Sequence, residues 1–237
     1  NVIVLGAQGT GKTMLLNLLR PESRLGYAKA KLDFPVPKSL YRFVGAGINL
    51  RKCGALEFAQ HLEEKTSGRE VQELQLHFAD FINYLIVVDI IASVQEFIYS
   101  ENITVLSEIG IDSNAENLDR FARQLAAEPC WFGALDGVEN IMQLNQKLAA
   151  RIKHYRLFIN LNTTQVPVEI SDTKTVIGDP ILKAAQALRN AGVLEDDVKV
   201  FIRIDQYEQL TTLNVLDKAF GSGCQQLIHK ALAARDG

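Results

Sequence analysis

Val2-Ile3-Val4-Leu5-Gly6-Ala7-Gln8-Gly9-Thr10-Gly11-Lys12-Thr13 is the stretch that decides how this chain folds. Four apolar residues in a row are the mark of a parallel strand covered on both faces. A glycine loop follows, and Met14-Leu15-Leu16-Asn17-Leu18-Leu19 begins a helix that Pro21 is expected to end. Gly6 to Thr13 fits G-x-x-x-x-G-K-[ST] at every position, with a strand before it and a helix after it. A polyphosphate needs backbone N–H groups at close range, and side chains at Gly6, Gly9 and Gly11 would obstruct them. The helix N-terminus adds the positive end of its dipole. On this reading Gly6, Gln8, Gly9, Thr10, Gly11, Lys12, Thr13 and Met14 hold a nucleotide. Lys12 reaches the β- and γ-phosphates, and the Thr13 hydroxyl ligates Mg²⁺. Average residue frequencies produce such a pattern by chance in roughly one chain of this length in a hundred, and the flanking strand and helix make chance rarer still.

A nucleotide loop needs a second acid. Val200-Phe201-Ile202-Arg203-Ile204-Asp205 reads as an apolar strand ending in a carboxylate, the element that in P-loop enzymes holds Mg²⁺ through the ion's outer coordination sphere, opposite the loop's Thr. Asp205 is therefore the expected metal partner of Thr13. Gln206 stands where many P-loop ATPases carry a Glu that polarises the attacking water. A neutral amide orients water by hydrogen bonding but does not take its proton. Glu208 is the nearest carboxylate, either a substitute for the missing Glu or a solvated residue at a helix start. The catalytic set expected from sequence is Lys12, Asp205, Gln206 and Glu208. Arg203, inside an apolar strand, is expected to point out of the sheet or to pair with an acid.

Between these motifs, residues 21 to 40 are rich in Pro, Gly and charge and read as a loop, and Tyr41 to Leu50 as a strand with a weak centre at Gly45 and Gly47. Glu70 to Tyr99 has helical spacing. Ser113-Asn114-Ala115-Glu116 has capping-box form, and Asp136 and Glu139 are placed to open a further helix. Strand character returns at Tyr155 to Leu161. Asp179-Pro180 starts a helix that Gly192 closes. Strands alternating with helices indicate α/β architecture. The expected fold is a three-layer P-loop NTPase with a parallel sheet, one domain over 1–237, with a helical insertion at 55–153 between the loop and the second acid.

Composition narrows the function. The 237 residues are 47% hydrophobic and 22% charged, enough to build a substantial core. The net charge is −3 and the pI near 5.9, so charge gives no support to DNA binding. Phe78 to Ile98 is apolar enough to suggest a membrane span, but Asp80, Asn83 and Asp89 interrupt it, and a buried helix is expected. Cys53, Cys130 and Cys224 have neither disulfide nor metal spacing, which fits thiols of a reducing compartment. His61, His77, His154 and His229 show no ligand spacing, and Trp131 reads as core. No secretory leader is visible, and residues upstream of the opening strand are expected; a cytoplasmic location is the expectation.

With both motifs placed, the chain resembles bacterial P-loop ATPases related to the origin-recognition and cell-division-cycle ATPases, within the AAA+/signal-transduction ATPase group. The resemblance runs from Asn1 to Thr13 and through Phe43-Val44-Gly45-Ala46-Gly47-Ile48 and His77-Phe78-Ala79-Asp80-Phe81-Ile82-Asn83-Tyr84. It continues at Ile177-Gly178-Asp179-Pro180-Ile181, Ile204-Asp205-Gln206-Tyr207-Glu208 and Leu232-Ala233-Ala234-Arg235-Asp236-Gly237. It implies an ATP-driven switch using ATP and Mg²⁺, partnered by further copies of itself or by an effector protein, and set in many cases among defence or mobile-element functions. In such ATPases the strand with a polar sensor, and any helical lid or winged-helix DNA reader, come after the point where Gly237 stands. An ATP-holding scaffold with slow chemistry and a P-loop kinase are the alternatives. A kinase wants an acceptor-binding acid and an Arg-rich lid, for which no clear pair is visible. A GTPase is disfavoured because Asp172-Thr173-Lys174 does not supply N-K-x-D.

Overall fold

A computed structural model describes residues 11–54, 57, 58, 68–160, 166–211 and 218–233. The opening strand and Gly6 to Thr10 lie outside the described residues. The fold is mixed α/β. In chain order the elements are α1 (Lys12–Asn17), α2 (Pro21–Lys29), β1 (Phe43–Asn49), α3 (Gly68–Tyr99), α4 (Ile103–Ile109) and α5 (Ala115–Ala126). There follow α6 (Ile141–Asn160), α7 (Val168–Ser171), α8 (Asp179–Asn190), β2 (Lys199–Asp205) and α9 (Lys218–Ala233). Among the described residues the sheet has two parallel strands, in register from Phe43↔Lys199 to Asn49↔Asp205.

Three local expectations are corrected. Pro21 does not close the helix after the loop: α1 ends at Asn17, and Pro21 is the first residue of α2, where its missing N–H costs nothing. Residues 21–29 are therefore helix, not loop. Gly26 weakens the local signal, and α2 is held by tertiary contacts instead. Arg24 is buried with its guanidinium 3.8 Å from the Tyr41 ring centre, 4.8 Å from that of Phe34, and 2.8 Å from Glu108. Tyr155 to Asn160 continues α6 rather than forming a strand, because Leu148, Ile152, Tyr155 and Ile159 repeat at helical spacing on its buried stripe. Caps shift slightly as well. Asn114, not Ser113, caps α5, and Gly178 rather than Asp179 precedes α8.

The 32-residue α3 is the axis of the core. Arg69–Tyr99 is long and apolar enough to cross a membrane, and 61% of its most apolar window is buried inside this protein. Phe58 meets Phe78 and Phe81 of α3 with ring centres 5.6 Å apart, and Phe158 of α6 at 6.2 Å.

Asp80 and Asn83, one turn apart on α3 and fully buried, organise the segment that leads into α8. Asp80 accepts hydrogen bonds from the Thr175 amide (2.8 Å) and hydroxyl (2.7 Å), the Tyr155 hydroxyl (2.6 Å) and Arg151 (2.9 Å). Asn83 donates to Thr175 Oγ1 and the Val176 carbonyl and accepts from Gly178 N. Arg151 also donates to the carbonyls of Glu169 and Thr173. A buried carboxylate is tolerated when its lone pairs are filled in this way.

His77 borders this network, fully buried, with Nδ1 3.4 Å from Tyr155 Oη. Tyr155 gives its proton to Asp80, so its oxygen accepts from His77 Nδ1–H, and Nε2 has no partner among the described residues. Burial, reinforced by Lys174 and Arg151, lowers the His77 pKa to about 3.

Two predictions follow from this packing. His77 stays neutral when folded and titrates near 6.5 when unfolded, so its contribution is complete above about pH 6.5 and declines as pH falls toward 3. The loss approaches about 1.4 kcal/mol per pH unit. Urea unfolding of His77→Gln is expected to lose that part of the wild-type acid destabilisation; an unchanged pH profile would show that His77 is not the group responsible. Gly45 is the second case. A Cβ there would sit 1.9 Å from the Leu19 carbonyl oxygen, a backbone atom just beyond α1. Gly45→Ala is expected to cost about 1–3 kcal/mol, read from the urea midpoint.

Candidate functional site

The C-terminal end of the strand pair brings together residues distant in sequence. Gly11, with φ +81°, caps the start of α1 and sets Lys12 and Thr13 in its first turn. A short helix of this kind has little stability alone; its far end rests against Gly45 of β1, where the absence of a side chain leaves room for the Leu19 carbonyl. Gly45 and Gly47 are thus sites of close approach rather than weak points. Gly47 faces the Arg203 carbonyl, which a Cβ would approach to 1.9 Å.

From this arrangement Thr13 Oγ1 lies 3.4 Å from both carboxylate oxygens of Asp205, 192 residues away in sequence. Asp205 Oδ1 also accepts from the Gln206 amide (2.9 Å), and Oδ2 from Asn49 Nδ2 (3.1 Å). Asn49 is the register partner of Asp205, and its own Oδ1 accepts from Lys52 N at 3.1 Å. Asn49 was not expected from sequence. The signal was a single amide closing an otherwise apolar and glycine strand.

Of the other expected residues, Lys12 is half-buried and Met14 exposed (74%). Gln206 is half-buried with φ +61°, a left-handed conformation unusual for a residue with a Cβ. That turn points its amide back at Asp205. Glu208 is exposed in the helical turn that follows. Tyr207, between them, is tied to α9 by a 2.7 Å hydrogen bond with His229 Nε2. Gly6, Gln8, Gly9 and Thr10 fall outside the described residues.

Behind the acid lies a second charged pair that sequence pattern left open. Arg203 is 8% exposed and donates to Asp89 Oδ2 at 3.3 Å; the same oxygen accepts Gly47 N at 2.7 Å. Ser93, one turn along α3, donates to the Gly45 carbonyl at 3.0 Å. Burial pulls the Arg203 pKa down, with Asp89 opposing it.

The oxygen set suits Mg²⁺. The Thr13 hydroxyl and the Asp205 carboxylate offer the hard oxygen donors that Mg²⁺ prefers, and they lie side by side. No group of three or more His, Cys, Asp or Glu side chains with metal-binding geometry occurs among the described residues. A site with few protein ligands, completed by water and phosphate oxygens, is the habit of Mg²⁺ rather than of Zn²⁺ or Ca²⁺.

The chain matches no curated protein and no solved structure. A family model described as ORC-CDC6-like matches residues 1–213. That span takes in the Gly6–Thr13 sequence motif, Asn49, Asp205 and the turn after it. On that match, which takes in both halves of the site, the chain belongs to the ORC-CDC6-like family.

Proposed function

We propose that this chain is an ATP-binding and ATP-hydrolysing switch of the AAA+ type, coupling Mg²⁺–ATP binding to a change of conformation or assembly. The observation that carries this reading is the Thr13 hydroxyl 3.4 Å from both Asp205 oxygens, at the end of a parallel strand pair and directly after a complete glycine loop. Family membership supports an AAA+-type P-loop ATPase. The wider elements of the proposal are a three-layer sheet, a helical insertion at 55–153, homo-oligomers or an effector partner, a cytoplasmic location and a bacterial defence setting. These rest on the sequence and its resemblance.

In this reading the amides of Gly6 to Gly11, including those of Gln8, Gly9 and Thr10, enclose the phosphates, with Met14 in the first turn behind them. Lys12 neutralises charge on the β- and γ-oxygens. Thr13 and Asp205 would hold a Mg²⁺ ion, whose charge would lower the cost of negative charge on the phosphoryl oxygens. Asn49 and the Gln206 amide fix the Asp205 carboxylate so that it does not rotate away from Thr13. Hydrolysis forms a bond from water to the γ-phosphorus and breaks the bond to the bridging oxygen. Gln206 offers a hydrogen bond to that water but no base, which favours slow turnover. The same residue supports a second reading, in which ATP is held as a structural ligand and hydrolysis is incidental.

Lys12→Ala is expected to weaken ATP binding by a few kcal/mol, measured by calorimetry; equal affinities would remove the phosphate-loop assignment. Asn49→Ala is expected to lower turnover several-fold at constant metal-free ATP affinity, because Asp205 loses a restraint rather than the loop a contact. Wild-type turnover is expected below ~1 s⁻¹, rising in Gln206→Glu. Glu208→Gln is expected to lower turnover if Glu208 serves as base. Turnover by none of these proteins, at concentrations high enough to assemble, would favour the ATP-holding scaffold.

A further inference from the structure

Arg203 and Asp205 are two residues apart on β2, so their side chains leave the same face of the sheet. Their register partners are Gly47 and Asn49. Two cross-strand pairs are thus stacked along one face, one carrying a buried guanidinium and the next the acid of the nucleotide site. A cation held in a part-buried place beside a carboxylate opposes the arrival of a second cation there. Arg203 is such a charge. Its Nε is buried and has no hydrogen-bond partner among the described residues, so bulk solvent screens the charge poorly. The contact that answers it is Asp89 of α3, at 3.3 Å. Arg20 and Glu22 also act on Arg203 through space, but with opposite signs, and they lie 4.0 Å from one another. Asp89 is in turn fixed by the Gly47 amide at 2.7 Å, which fills the same oxygen from the backbone of β1.

We propose that Asp89 is a positioning residue of the nucleotide site that acts through Arg203: its carboxylate neutralises the buried guanidinium, leaving the charge of Asp205 available to Mg²⁺. The inference rests on the Mg²⁺–ATP reading above and extends it to α3, which among the described residues makes no hydrogen bond or ion pair with Thr13 or Asp205. It makes the long core helix part of the metal site's electrostatics, so a displacement of α3 from β1 would be felt as weaker metal binding.

The test uses the full chain and a fluorescent ATP analogue, with binding measured without metal and then as Mg²⁺ is titrated in. In Asp89→Asn the uncompensated Arg203 is expected to raise the Mg²⁺ concentration for half-saturation by roughly ten- to a hundredfold. Metal-free affinity for the analogue should stay the same or tighten. The double variant Asp89→Asn with Arg203→Gln is expected to return the Mg²⁺ requirement to near the wild-type value, because both charges are gone. A purely structural role for the pair gives the opposite order, the double variant being no better than the single one, and that result overturns the proposal. Should Asp89→Asn fail to fold, Arg203→Gln alone decides the question. It leaves Asp89 in place with no cation and is expected to lower the Mg²⁺ requirement several-fold; an unchanged or higher requirement overturns the proposal. If the wild type binds the analogue and Mg²⁺ but Asp89→Asn leaves the metal titration unmoved, only this inference falls. If the wild type binds no analogue with or without Mg²⁺, the nucleotide reading falls and this one with it.

Discussion

Among the described residues, the outer edge of β1 is met by side chains of α3 and not by another strand. Even-numbered residues from Arg42 to Leu50 turn toward β2, as the bonds from Lys199 N to the Arg42 carbonyl and from Leu50 N to the Asp205 carbonyl show. Gly45 and Gly47 therefore turn the other way, and α3 meets them with Ser93 and Asp89. An unmet buried backbone group costs about 1–3 kcal/mol, so these two side chains fix how far and at what angle the helix lies from the strand. Most of the remaining architecture is arranged around that fixed distance. The end of α1 reaches Gly45, and the aromatic cluster around Phe58 fills the space beside α3.

One turn and more toward its N-terminus, the same helix uses Asp80 and Asn83 to place the segment before α8. The energetic reading of that network is specific. Exchanging a satisfied buried ion pair for apolar groups is often neutral, whereas removing one member leaves a stranded charge at a cost of about 3–5 kcal/mol. Asp80 and Arg151 therefore do less to raise total stability than to forbid alternatives, since a slip of residues 173–178 would take the Thr175 amide and hydroxyl from Asp80 Oδ1 and the Thr173 carbonyl from Arg151. As α8 leads directly into β2, the clamp also bears on where Asp205 arrives.

Local chemistry made the site legible where the residues themselves do the work. The glycine loop needs its composition, an apolar strand ending in Asp is visible as such, and Thr13 and Asp205 are brought to 3.4 Å. What escaped depends on neighbours. Asn49 is an unremarkable amide until β1 lies in register with β2. The helix α2 contains Gly26 and begins with Pro21, and is stabilised by Arg24 against Tyr41 and Phe34, contacts with no local signature. Tyr155-Arg156-Leu157-Phe158-Ile159 has the composition of a strand, and only its continuity with Leu148 and Ile152 reveals helical period. Gly45 and Gly47 read as breaks in a strand because the bodies they admit, the Leu19 and Arg203 carbonyls, come from elsewhere.

The strand pair also sets an order on biogenesis. Asn49 and Asp205 are 156 residues apart, so β1 leaves the ribosome long before the strand it bonds to has been translated. Its outer edge gains Ser93 and Asp89 soon after, within the next 50 residues of chain. Its inner edge, along Val44, Ala46 and Ile48, has no native partner until β2 emerges. During that interval the nascent protein carries an open parallel edge of apolar residues, the kind of surface that pairs with wrong strands and that chaperones hold.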